Sequence, residues 1–105
     1  MSDWIAAGDL HDIPRLGSRV ISTPEGDIAV FRTRDDRVFA LRDRCPHRGG
    51  ALSQGIVHGT RVTCPLHSWV ISLEDGQAQG FDQGCARTCA VRLEGTRVFF
   101  TLTTD

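Results

Sequence analysis

Four residues of this 105-residue chain have the types and spacing of a metal centre, in the segments Cys45-Pro46-His47 and Cys64-Pro65-Leu66-His67. Each segment offers one thiolate and one imidazole, and sixteen residues (48–63) lie between the two. Two thiolates and two imidazoles satisfy a tetrahedral zinc ion. They also satisfy a [2Fe-2S] centre in which the thiolates hold one iron and the imidazole nitrogens hold the other. That second arrangement needs two loops side by side, each giving one ligand of each type. Structural zinc usually draws on ligand pairs two to four residues apart on knuckles or helices, so the tight C-x-H pair points to the iron–sulfur centre and to one-electron transfer. Pro46 and Pro65 fix φ after each cysteine and stiffen the loops. A third reading, four residues that hold no metal, must treat both prolines and the glycines after the first pair as coincidence.

Two such loops can meet only if the flanking chain forms a frame, and the flanking sequence reads as β. Short runs of β-branched and aromatic residues alternate with turn residues. Arg19 to Thr23 reads as a strand, Pro24 to Asp27 as a turn and Ile28 to Arg32 as the antiparallel return. Asp35-Asp36 turns the chain into a strand over 37–42. Gly49, Gly50, Gly55 and Gly59 break regular structure between the ligand pairs. Residues 61–63 lead into the second ligand loop and 68–73 leave it. Asp75-Gly76 is a hairpin signal before a strand over 77–81, and 90–93 turns at Glu94-Gly95 into 97–103. The pattern predicts one all-β domain over 1–105. Its base, a sandwich or incomplete barrel of antiparallel strands, comes from about 1–42 and 77–105. A cluster-binding subdomain of about 43–76 is inserted between.

Composition narrows the function. Twelve basic against thirteen acidic residues, with no extended basic run, give no reason to expect nucleic acid. Residues 1–8 lack the layout of a secretory signal, and no run approaches the roughly 20 apolar residues that span a membrane. A cytoplasmic protein is expected, in which four cysteines serve as metal ligands sooner than as two disulfides. Nothing resembles a nucleophile with its base, a phosphate loop or a nicotinamide fingerprint, so catalysis is expected of a partner.

The run Asp43-Arg-Cys-Pro-His-Arg-Gly-Gly-Ala-Leu-Ser-Gln-Gly-Ile-Val-His-Gly, followed by Val62-Thr-Cys-Pro-Leu-His-Ser-Trp, resembles the Rieske [2Fe-2S] domain of the small subunit of NAD(P)H-dependent assimilatory nitrite reductase. Ile13-Pro14, Gly17, Gly26 to Arg32, Val38 to Asp43, Gly76-Gln-Ala and Asp82-Gln-Gly-Cys extend the resemblance over nearly the whole chain. Thr88-Cys89-Ala90 departs from it, where an aromatic residue and proline are expected. The resemblance implies the Rieske iron–sulfur fold and Cys45, His47, Cys64 and His67 as cluster ligands. It also implies a partner, the large catalytic subunit, carrying FAD, sirohaem, a [4Fe-4S] cluster and the NAD(P)H site, in reduction of nitrite to ammonium. High-potential respiratory Rieske proteins have a disulfide beside the cluster, but Gly50 and Leu66 stand at the corresponding positions. Trp69 and Ile71 stand where those proteins have serine and tyrosine hydroxyls. A potential toward the low end of the range of roughly −150 to +300 mV follows.

Two other classes share the ligand pattern: a free-standing Rieske ferredoxin serving an aromatic-ring oxygenase, and a structural subunit whose metal has no redox role. The segments Leu52 to Gly59 and Asp82 to Cys85 favour the nitrite reductase subunit. Arg42, Arg44 and Arg48 flank the first pair, as a rim for an acidic partner or as a solvated strand edge. Cys85 and Cys89 read as small buried residues or, without C-x-x-C spacing, as a less fitting redox pair. His11 and His58 read as surface histidines. Trp69 should pack under the second loop and shield the cluster, and Trp4 should anchor the N-terminus.

Overall fold

A computed structural model of the chain describes residues 4–45, 50–65, 69–79 and 84–102. Among the described residues, nine strands form two antiparallel sheets. Six of them, β1 (Trp4–Asp9), β2 (Gly17–Thr23), β3 (Gly26–Arg32), β4 (Val38–Arg42), β8 (Thr88–Glu94) and β9 (Arg97–Thr101), assemble in the order β1-β9-β8-β4-β3-β2 into a nearly closed, barrel-like sheet. The other three, β5 (Ile56–His58), β6 (Arg61–Thr63) and β7 (Val70–Ser72), make a small sheet that lies in the sequence between β4 and β8. This is an all-β Rieske fold. Among the described residues, regular helix is limited to two 3₁₀ turns, Leu10–Asp12 and Leu52–Gln54.

The third strand explains how the two sheets share one body. Its sequence Ile28-Ala-Val-Phe-Arg is apolar without alternation up to Arg32, and all five residues are buried. A strand's side chains point alternately to opposite faces, so a continuous apolar run implies cover on both sides. Ile28 and Val30 belong to one core with Ala40, Val98 and Phe100. Ala29 and Phe31 belong to a second core with Leu41, Leu52, Val57, Val62, Ile71 and Leu73. The strands β3 and β4 are therefore a wall with the barrel core on one face and the small sheet on the other.

The barrel's end is closed by a buried arginine. Arg32 donates from Nη1 to the carbonyls of Leu10 (3.0 Å) and Ile13 (2.9 Å), and from Nε to Asp36 Oδ1 (2.9 Å). Asp36 also receives Arg15, at 2.9 and 3.2 Å. The Leu10 carbonyl also accepts the Ile13 N–H at 3.1 Å, so the arginine adds a second bond there and partners the Ile13 carbonyl beyond the turn's end. The Arg15 and Arg32 guanidiniums lower the Asp36 carboxyl from 3.8 to about 2.

Three expectations need adjustment. The strand β1 pairs with β9 from Trp4↔Thr101 to Asp9↔Arg97 and has no counterpart in the sequence reading. Its apolar residues are interrupted by Gly8, and a bulge falls between Ala6 and Gly8, which hides the period. The segment Ile56–His58, read as broken by glycines, is strand β5. The expected strand over 77–81 shrinks, within the described residues, to single bridges, Ile71↔Ala78 and Gln77↔Cys85. Residues 77–79 lie between β7 and the 84–86 segment, and the Ala86 N–H reaches Gly76 O at 2.7 Å, so neither side offers a long partner.

Asp36 sits at φ +67°, a conformation that asparagine tolerates, so Asp36→Asn removes the charge with little backbone strain. A carboxyl whose folded pKa is depressed stabilises the fold above its unfolded value and loses that contribution as pH falls through the folded one. Melting of the wild type and Asp36→Asn followed by circular dichroism should show a constant gap in Tm above pH ~4 that closes toward pH ~2. A gap independent of pH would refute the assignment.

Candidate metal centre

The first ligand segment leaves β4 while still tied to the frame. Arg42 N–H donates to Arg87 O (2.8 Å) and Asp43 N–H to Asp27 O (2.9 Å). The loop then closes on itself, the Cys45 N–H donating to the Gly50 carbonyl at 2.7 Å. The second segment repeats the device after β6, where the Cys64 N–H donates to the Trp69 carbonyl, also at 2.7 Å. Each loop is thus pinned at its root by the cysteine's own N–H, to a carbonyl five residues on.

Cys45 and Cys64 are 2% and 1% exposed and belong to the same core beside the β3–β4 wall. Trp69 packs against that core, partly buried. A thiolate in apolar surroundings is unfavourable unless a cation accompanies it. Two buried cysteines in one apolar cluster therefore fit a cationic metal group. His47 and His67 lie outside the described residues, as does Arg48. Among the described residues no group of three or more His, Cys, Asp and Glu side chains gathers as an alternative metal site.

The spacing between the loops is set by a glycine. Gly55 follows the 3₁₀ turn that ends the first loop and lies flat against β6, immediately ahead of Cys64. A Cβ on Gly55 would fall 2.3 Å from the Thr63 carbonyl and 3.0 Å from Val62 Cγ2. Read from sequence alone, Gly55 is only a breaker. Its role is close backbone approach. A second contact that sequence reading missed joins Asp43 to Ser53, whose N–H and hydroxyl each meet a carboxylate oxygen at 2.7 Å.

The remaining candidates divide. Arg42 donates to the Glu25 carbonyl at 2.6 Å and is a brace of the β2–β3 turn, whereas Arg44 is exposed. Cys89 is buried, and that burial pushes its thiol above the usual value. Cys85 corrects the expectation of a small buried residue: it is exposed, on a segment whose pairing among the described residues is with the short 76–78 stretch, and its thiol lies 3.5 Å from the Asp75 carbonyl. His11 and His58 are exposed, bonded to Asp9 (2.9 Å) and Thr63 (2.7 Å). Trp4 lies in β1 under the Arg92 guanidinium, 5.8 Å from the ring centroid.

With two cysteine-rooted loops mounted on an all-β frame, the chain has the architecture of an iron–sulfur electron carrier. The Rieske [2Fe-2S] domain model matches residues 3–92, and the chain belongs to that family. Its cofactor is the Rieske [2Fe-2S] cluster, which supersedes the zinc reading. Cholesterol 7-desaturase nvd of Hemicentrotus pulcherrimus is 32% identical over 75 residues, 70% of this chain but only 16% of the relative. The ferredoxin component of the naphthalene 1,2-dioxygenase system of Pseudomonas aeruginosa is 30% identical over 94% of this chain and 95% of its own length. Among solved structures, one assigned to the small subunit of an NADH-dependent nitrite reductase of Mycobacterium tuberculosis superposes with a TM-score of 0.88 at 20% identity, covering 100% and 99% of the two chains. A chain from the complex of reduced oxygenase and oxidized ferredoxin in carbazole 1,9a-dioxygenase gives 0.87 at 20% identity, covering 100% and 98%. Identities this low establish a common fold. No helix of the described residues is long and apolar enough to cross a membrane.

Replacing Gly55 by alanine should drive β6 away from the first loop. Overpacking of this kind costs about 1–3 kcal/mol. The expected outcome is a lowered denaturation midpoint together with reduced iron per chain, measured by chemical denaturation and metal analysis. Wild-type values for both would show that the close approach is not required.

Proposed function

We propose that Cys45, His47, Cys64 and His67 hold the [2Fe-2S] cluster and that this chain is the cytoplasmic small subunit of an NAD(P)H-dependent nitrite reductase. The cluster supplies one-electron transfer, in the path from the nicotinamide to nitrite. The large subunit would carry NAD(P)H, FAD, sirohaem and the [4Fe-4S] cluster. The observation that carries the reading is the continuous resemblance around the ligands, from Asp43 to Gly59 and again at Asp82 to Cys85. Several of those residues have structural work to do. Asp43 and Ser53 meet, Gly55 lies against β6, and the His58-Gly59 stretch turns β5 into β6 through the pair His58↔Arg61.

A second reading, a ferredoxin component for a ring-hydroxylating oxygenase, is favoured by the full-length match to the naphthalene dioxygenase ferredoxin. Both readings make the chain an electron-transfer component of a larger oxidoreductase, and they differ in the acceptor. The discriminating measurement mixes purified chain with the sirohaem-containing large subunit from the same organism and follows nitrite-dependent NAD(P)H oxidation. Stimulation by wild type and not by Cys64→Ser is expected. No stimulation, with rapid electron delivery to a ring-hydroxylating oxygenase instead, would establish the second reading.

The ligand assignment has its own check. His47→Ala and His67→Ala should each abolish the electron paramagnetic resonance signal of the dithionite-reduced cluster while the β frame stays folded by circular dichroism. Global unfolding of both variants would argue that the metal is structural. A preserved signal would remove these histidines from the ligand set.

A further inference from the structure

The root of the first ligand loop holds a carboxylate that ligation does not use. Asp43 lies two residues before Cys45, within about 7 Å along the chain. Its Oδ1 accepts the Ser53 N–H and its Oδ2 accepts the Ser53 hydroxyl, both at 2.7 Å. Ser53 belongs to the 3₁₀ turn that ends the loop, and its carbonyl accepts the Ser18 hydroxyl from β2 at 3.1 Å. The Asp43 N–H is meanwhile bonded to Asp27 of β3. One side chain therefore joins the start of the loop to its end, and both are tied to the barrel. The next residue but one after Ser53 is Gly55, which lies against the strand that leads to Cys64. Arg42 and Arg44 flank Asp43 in sequence, yet among the described residues its oxygens are taken by Ser53 and not by a guanidinium. Its charge stays unpaired there.

Resting on the ligand assignment above, we propose that Asp43 is a positioning residue of the redox centre, clasping Ser53 to keep the first loop closed and placing a fixed negative charge at that loop's root. The clasp acts on cluster retention. Charge-assisted hydrogen bonds are the stronger kind, and an open loop exposes the cluster to chelators. The charge acts on the potential. One-electron reduction adds a negative charge to the cluster, so a neighbouring carboxylate within about a Debye length disfavours the reduced form.

Asparagine separates the two effects, because its Oδ1 can accept the Ser53 N–H while its Nδ2 donates to the Ser53 hydroxyl. Reconstituted wild type, Asp43→Asn, Asp43→Ala, Ser53→Ala and Ser53→Thr are compared by the rate of cluster bleaching in excess chelator and by a spectroscopic redox titration. Asp43→Asn should bleach near the wild-type rate with a more positive midpoint potential. Asp43→Ala, which loses both bonds of the clasp, should bleach about tenfold faster; Ser53→Ala, which keeps the backbone N–H bond and loses the hydroxyl bond, should bleach faster by a smaller factor, and Ser53→Thr should keep the wild-type rate. If Asp43→Ala does not fold, Asp43→Asn and Ser53→Ala carry the test. A wild-type chain that takes up no iron overturns the ligand assignment and the proposal with it. A loaded wild type whose Asp43→Asn and Ser53→Ala variants match it in both rate and potential overturns the proposal alone.

Discussion

The two-sided burial of β3 and β4 is the constraint on which the rest of the molecule depends. Ile28, Val30 and Ala40 face the barrel core, while Ala29, Phe31 and Leu41 face the small sheet and the two cysteines. An isolated sheet of three strands, each three residues long, has little area to bury and would be marginal in water. Laid against the wall, Val57, Val62 and Ile71 become fully apolar contacts, each of the size that contributes about 1.5–3 kcal/mol when buried. The loops that carry Cys45 and Cys64 are anchored in the same packing, so the centre inherits its rigidity from the frame.

Electrostatics and packing meet at the cysteines. Apolar surroundings penalise a bare thiolate, which makes the same core a poor place for free cysteine anions and a suitable one for thiolates neutralised by iron. Ile71, two residues after Trp69, is wholly buried among apolar neighbours, and its side chain offers no donor to sulfur. Hydrogen bonding to sulfur and burial are principal controls on the potential of such centres.

The sequence by itself offered the candidate ligands, two cysteines and two histidines at close spacing, because residue type and short spacing are both local. It also disclosed the antiparallel β character and most of the strands, since the period of two is local as well. Cys85 went astray because its exposure depends on a partner segment distant from any pattern of its own, and β1 because a bulge at Gly8 breaks its period. Tertiary structure alone decided which face of Ile28 to Arg32 serves which core, that Gly55 lies flat on β6, and that Asp43 reaches Ser53 ten residues on. Each of these is a contact between segments brought together by folding, and a linear pattern carries no distance between such segments.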